Sequence, residues 1–170
     1  MAGGEHPAEE ERRRVLAERR EALAAIPAEA ARETWPVVAF RVGGRRHAVP
    51  ATFVRQFLEA RRLSPLAGAP AWMLGAVQAR AGVVPVLDLQ VLLGATGGAI
   101  ADATSVILLE DAGDAFAVAV DEVEGRLELP RDAFTETAGG LVRWWGPDRL
   151  GVLDVERLGV EANAGEREAP

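Results

Sequence analysis

Apolar and polar positions alternate with a period of two along most of this chain, in short runs separated by glycine, proline and acidic turn formers. That pattern predicts strands and hairpins rather than long helices. It is clearest from Gly75 to Gly94, GAVQARAGVVPVLDLQVLLG. Val77 and Ala79 alternate with Gln78 and Arg80, as in a strand buried on one face. Ala81-Gly82 supplies a turn, because glycine tolerates positive φ. Val83-Val84-Pro85-Val86-Leu87 is apolar on both faces and predicts a buried strand, and Pro85, which has no N–H to give, predicts an edge or bulge there. Asp88 is placed to cap a helix over Leu89–Leu93, and Gly94 to end it.

The same order returns at Leu141–Gly159, LVRWWGPDRLGVLDVERLG: a strand, a turn at Gly146-Pro147-Asp148, a strand over Leu150–Leu153, a capping Asp154, a short helix and a stop at Gly159. Two further hairpins are predicted, Val38–Val49 with Gly43-Gly44 at its tip and Val106–Val120 with Asp111–Asp114 at its tip. Pairing Asp88 with Asp154 and Val49 with Val120 divides the chain into two related halves, each a small β-unit, with a period too long for a solenoid. Phe53–Leu58 reads as a strand or a helical corner leading into one, Arg61–Pro70 as an irregular connection, and Val123–Leu129 as a strand stopped by Pro130. Arg131–Gly140 reads as a loop with one helical turn. About ten short strands without strand–helix–strand alternation predict an all-β fold, as small barrels or a sandwich.

Outside this region the pattern changes. Pro7 opens a helix from Ala8 to about Ala25, supported by the i,i+4 pairs Glu9–Arg13, Glu10–Arg14 and Arg14–Glu18. Its apolar stripe of Val15, Leu16, Leu23 and Ile26 is too narrow for a core helix, so weak packing, pairing with another helix and mobility are the alternatives. The predicted divisions are residues 1–36 as charged helix and linker, 37–160 as the globular domain with its halves meeting near 95–103, and 161–170 as a polar, disordered tail.

Composition then narrows the function. The 170 residues hold no cysteine, which excludes a thiol nucleophile and thiolate metal sites. Every one of the 19 basic residues is arginine, so there is no Schiff-base or phosphate-loop lysine. His6 and His47 are too far apart in pattern for a metal site, and neither Ser64 nor Ser105 lies in a nucleophile elbow. No run reaches the length of a membrane span and the N-terminus is too charged for a signal peptide, so a cytoplasmic chain is expected. No catalytic residue, cofactor or metal ligand is therefore predicted. Charge is uneven: Val37–Pro70 carries six arginines against Glu59, and Ile100–Gly140 carries ten acids against Arg126 and Arg131. Either this is ordinary solvated surface or it orients a protein assembly. Arg80 points outward with a planar multi-donor head, and of the adjacent Trp144-Trp145 one must face out, Trp145 being the contact candidate. A nucleic-acid binder using Arg41, Arg45, Arg46, Arg61 and Arg62 is disfavoured by the net charge of −7, and a small ligand-binding barrel by the lack of a converging polar cluster.

Phe40–Glu59 (FRVGGRRHAVPATFVRQFLE), Leu63–Pro70 (LSPLAGAP), Gly75–Gly94, Val106–Leu129 and Leu150–Gly159, in that order, resemble the CheW family of chemotaxis coupling proteins, as a divergent member. The resemblance implies two SH3-like five-stranded β-barrels sharing a core, and a non-catalytic adaptor. Its implied partners are the regulatory domain of a CheA-type histidine kinase and the cytoplasmic tip of a chemoreceptor, at arrays beneath the inner membrane, with no nucleic acid and no membrane insertion. It further implies partner-binding roles for Arg80, Gly75, Val54, Gln56 and Val123. The family's Asn-Leu-Arg-Gly is here Gln78-Ala79-Arg80-Ala81; Ala117 replaces a glycine and Arg126 an apolar residue.

Overall fold

Two hairpins with unlike neighbours organise the architecture. In the computed structural model, which describes residues 7–24, 33–95 and 103–168, each has a turn that only a left-handed backbone can make. The first joins β1 (Thr34–Val42) to β2 (Arg45–Pro50) through Gly43-Gly44, with φ of 57° and 74°. After it come β3 (Val54–Glu59), β4 (Met73–Ala79), β5 (Gly82–Leu87) and the short α2 (Leu89–Leu92). The second hairpin joins β6 (Ser105–Asp111) to β7 (Asp114–Val120) through Ala112-Gly113, with φ of 51° and 90°. Then follow β8 (Glu122–Pro130), β9 (Thr135–Glu136), β10 (Val142–Trp145), β11 (Gly151–Leu153) and α3 (Val155–Glu168). An N-terminal helix, α1 (Pro7–Ala24), forms a unit of its own, with an Arg14–Glu18 pair at 3.6 Å along its surface.

The strands make two sheets, in the orders β8-β1-β2-β11-β10-β9 and β3-β6-β7-β5-β4. Each sheet therefore takes its central hairpin from one half of the chain and its flanking strands from the other. The halves are exchanged, not side by side. All-β architecture in two units holds, with six and five strands, but neither unit is built from one sequence half. Parallel pairing seams the halves together: Val152 lies opposite Ala48, and Val86 opposite Ala117. Those registers make Ala48 equivalent to Ala117 and Val49 to Val118, so the expected match of Val49 with Val120 was two residues out.

Burial explains why the central strands are apolar on both faces. Val38, Phe40, Val49, Ile107, Leu109, Phe116 and Val118 meet in a core between the sheets, joined by Leu89 of α2 and Leu158 of α3. The alternate residues turn the other way. Val37, Ala39, Ala48 and Val152 fill the inside of the six-stranded unit, and Val77, Val84, Val106 and Ala117 that of the five-stranded one. Three small cores thus replace one large one.

Several expectations are corrected. Thr34–Pro36, assigned to the linker, already pair with Glu128–Pro130 of β8. Gly159 does not stop a helix: α3 runs through it to Glu168, across the expected tail 161–170, because Leu158 and Ala162 continue the buried stripe. Gly159 instead lets the helix sit close on Phe116, where an added Cβ would lie 3.3 Å from the ring. Pro85 is not on an edge strand, since β5 pairs with both β4 and β7. Its partner Ala76 directs its own N–H and C=O away, to Ser64, so Pro85 faces the β7 side one residue before that ladder begins at Val86. The halves' predicted junction at 95–103 lies mostly outside the described residues, as do Ala25 and most of the linker.

The exchange also answers the charge asymmetry. Arg41 and Arg46 of the first hairpin reach Glu124 of β8 at 2.9 and 2.7 Å, and Arg55 of β3 faces Glu110 of β6 at 3.6 Å. Glu124 and Arg55 each occupy the register irregularity of their strand, so the two contacts are one motif with its signs reversed. Hydrogen bonding to Arg46, helped by the nearby Arg41 charge, holds the Glu124 carboxyl below its ordinary range. Three of the first half's six arginines are thus answered by carboxylates of the second half, and Arg61 pairs with Glu59 within the first.

His47 shows the same equivalence. It pairs with Gly151 across the parallel seam, the register place that Phe116 holds in the other half. Its ring is buried beside Phe40, and its Nδ1 has no hydrogen-bond partner among the described residues. Burial lowers its pKa first, the Arg45 charge adds to that, and the Gly151 backbone works against both. The folded state therefore binds the proton less readily than the unfolded chain. Stability is full above the unfolded value of about 6.5 and falls as pH drops below it, by up to about 1.4 kcal/mol per pH unit until the folded pKa is passed. His47→Phe is expected to flatten this difference between pH 6.5 and 5 while keeping or raising stability at pH 7.5, as read from urea midpoints. Parallel pH profiles for the two proteins would contradict the assignment.

Candidate protein-binding face

The hairpin of β4 and β5 is held by a backbone strap. Ser64 donates its N–H to the Ala76 carbonyl at 2.8 Å and accepts from the Ala76 N–H at 2.9 Å. Gly75 makes room for it: its φ is +151°, and a Cβ there would lie 2.2 Å from the Ser64 carbonyl oxygen. At the base, the Asp88 N–H reaches the Trp72 carbonyl at 2.8 Å, and Asp88 caps α2 by accepting from Gln90 at 2.9 Å.

The second half repeats this frame. Thr135 takes the place of Ser64 opposite Trp145, and the Asp154 N–H reaches the Leu141 carbonyl at 2.8 Å. Asp154 accepts from the Arg157 N–H at 3.1 Å, so both aspartates are caps, as their positions predicted. The twin hairpins then differ in reach. β4 and β5 continue from the Ala76–Pro85 pair out to Ala79–Gly82, whereas Trp145 and Gly151 are joined almost at once by Gly146–Leu150. That tight turn holds Asp148 and Arg149 at φ of 55° and 57°, a left-handed pair without glycine that costs about 1 kcal/mol per residue. The first hairpin is the one that projects.

Gln78 and Val83 share its outer face, and Arg80 is exposed at its tip. Gln78 and Val83 are cross-strand neighbours, and Gln78 turns its amide onto the Ala79 carbonyl at 3.2 Å. Val83 is 72% exposed, the most of any large apolar side chain described. Sequence reading missed it because the run Val83–Leu87 looked buried on both faces; Val84, Val86 and Leu87 are buried, but Val83 lies beyond the end of the other sheet's cover. Arg80 is exposed at the turn.

The other proposed contact residues are dispersed. Val54 and Val123 are equivalent positions on β3 and β8, both half-buried against the central core. Gln56 lies beside Val54 on the edge strand β3, half-buried. Gly75 is buried under Ser64 and offers no side-chain surface. Trp145 faces out at 43% exposure, while Trp144 packs edge-on against Trp35 at 4.9 Å. Phe134 joins them, and Arg131 and Arg143 stack on Trp35 and Trp144 at 5.0 and 4.6 Å. Of the departures from the family pattern, Ala79 and Ala117 are buried, so only Gln78, Ala81 and Arg126 alter the surface. Among the described residues no three His, Cys, Asp or Glu side chains gather as metal ligands, and no helix is long and apolar enough to cross a membrane.

These features define an internally duplicated all-β domain with exchanged halves and one projecting hairpin. Residues 36–158 match the family model described as CheW-like domain. Over 119 residues, 69% of this chain, it is 33% identical to Protein PilI of Pseudomonas aeruginosa PAO1, and the match spans 66% of that protein's length. The crystal structure of scaffolding protein TtCheW from Thermoanaerobacter tengcongensis shares the fold, with a TM-score of 0.63 at 16% identity over 72% of this chain and 90% of that one. The chain belongs to the CheW-like domain family.

Proposed function

We propose that this protein is a non-catalytic adaptor of a chemosensory system, coupling a CheA-type histidine kinase to chemoreceptors from the cytoplasmic side of the inner membrane. The observation that carries the reading is the projecting β4–β5 hairpin, which presents Arg80 at its tip within the region that matches the family model. An adaptor needs rigid, exposed contact groups and no reactive cluster, and the seamed double sheet supplies that rigidity. The kinase contact rests on Arg80 and the β3 residues Val54 and Gln56; Val123 and Trp145 are assigned to the second half's partner surface.

The test is calorimetric titration with the regulatory domain of the CheA-type kinase from the same genome, at two salt concentrations. Wild-type protein is expected to bind at micromolar affinity or tighter. Arg80→Glu is expected to weaken binding by at least about tenfold, or 1.4 kcal/mol, and to leave the thermal midpoint unchanged because the residue is exposed at a turn. Equal affinity for the two proteins would remove Arg80 from the interface.

A further inference from the structure

We infer that the tip of the β4–β5 hairpin is a two-part docking knob, Val83 supplying an apolar plug and Arg80 a charge, that fits a partner protein surface with an apolar depression rimmed by carboxylate. This deepens the kinase-coupling reading and rests on it.

A single exposed valine is ordinary on a protein surface. Three observations separate this one from that background. First, Val83 is the most exposed large apolar side chain described, above Val160 at 66% and Leu16 at 60%. Second, it belongs to the part of the hairpin that the twin hairpin lacks, since β10 and β11 are joined directly after the Trp145–Gly151 pair. The inner face of this extension, Val77, Ala79 and Val84, packs in the core of the five-stranded unit, and that packing leaves Val83 on the opposite face. Third, its cross-strand neighbour Gln78 directs its amide to the Ala79 backbone, and Val83 stays uncovered on a strand whose next residue, Val84, is buried.

Charge settles the partner's chemistry. Arg41, Arg46, Arg55, Arg61 and Arg143 each face a carboxylate of this chain, whereas Arg80 has no such contact among the described residues. A guanidinium beside an exposed apolar plug gains most from a carboxylate at the rim of the pocket the plug enters, where water is excluded. Val83 is held on strand β5 and loses little freedom on binding, whereas Arg80, at the turn, orders its side chain against the partner.

The test uses the full chain and the kinase regulatory domain, with Val83→Asp, Val83→Thr, Arg80→Glu and the Val83→Asp/Arg80→Glu double variant, and Val160→Ser as the remote control. Val83→Asp is expected to weaken binding about tenfold or more, and Val83→Thr, which keeps shape and strand propensity, about threefold. Val160→Ser is expected to change nothing. The double variant is expected to lose less than the product of the single losses, because both groups enter one depression. Wild-type binding that Val83→Asp and Val83→Thr leave intact would overturn the knob and keep the coupling reading. Failure of the wild-type protein to bind would overturn both.

Discussion

Gly75→Ala is expected to remove about 4 kcal/mol of stability, most of what a domain of this size has. Two costs coincide at this position. A φ of +151° is strained for any side chain, and a Cβ would stand 2.2 Å from the Ser64 oxygen and 2.9 Å from its carbonyl carbon. Both clashing atoms are backbone, and they belong to the strap whose two hydrogen bonds hold Ala76. Relief therefore means breaking the strap and freeing the edge of β4. Gly82→Ala is the control: its φ of +113° carries similar strain, but nothing lies within 4 Å of an added Cβ. It should cost only about 1–2 kcal/mol. Urea midpoints of the two variants separate clash from strain. Equal losses would show that the strap yields without cost.

The stretch Gly75–Gly94 was legible because its signals are local. Alternation, a turn glycine and an aspartate cap are fixed by neighbours in sequence, and Asp88 does cap α2. Two adjacent tryptophans on one strand required by alternation that one face out, and the structure shows that it is Trp145. What sequence could not show is which half each sheet borrows from. Hairpins read the same whether their flanking strands come before or after them, so two adjacent lobes were expected where exchange occurs. The charge pattern was misleading for the same reason: Arg41, Arg46 and Arg55 looked unanswered until β8 and β6 were placed beside them. Val83 was hidden by composition, because an apolar run reports burial only where another layer covers it. The match to the family's spaced motifs reached further than local pattern, since it carries long-range order that no window of a few residues contains.

Phe116→Ala is expected to cost about 3–5 kcal/mol and to release α3. The ring is 1% exposed in the core between the sheets, and it fills the ground under α3 where Gly159 leaves space. Only that glycine allows the approach, so α3 has no larger residue at 159 to settle into the void. The loss should fall on three elements at once, β7, the β5–β7 seam and α3, with Leu158 and Ala162 losing their packing surface. Hydrogen exchange checks this directly: amides of Leu158 to Ala162 should lose protection well before those of β1 and β2. Phe116→Leu, which keeps most of the volume, should cost about 1–1.5 kcal/mol and preserve α3 protection. His47 occupies the equivalent place in the other half and makes the comparison sharp. Phenylalanine there should be tolerated, since it removes an unpartnered Nδ1, whereas the reverse change, Phe116→His, would bury a new unpartnered nitrogen and should destabilise the protein. If Phe116→Ala and His47→Ala cost the same and α3 stays protected in both, the equivalence of the two seams is one of register only, and the helix draws its stability from elsewhere.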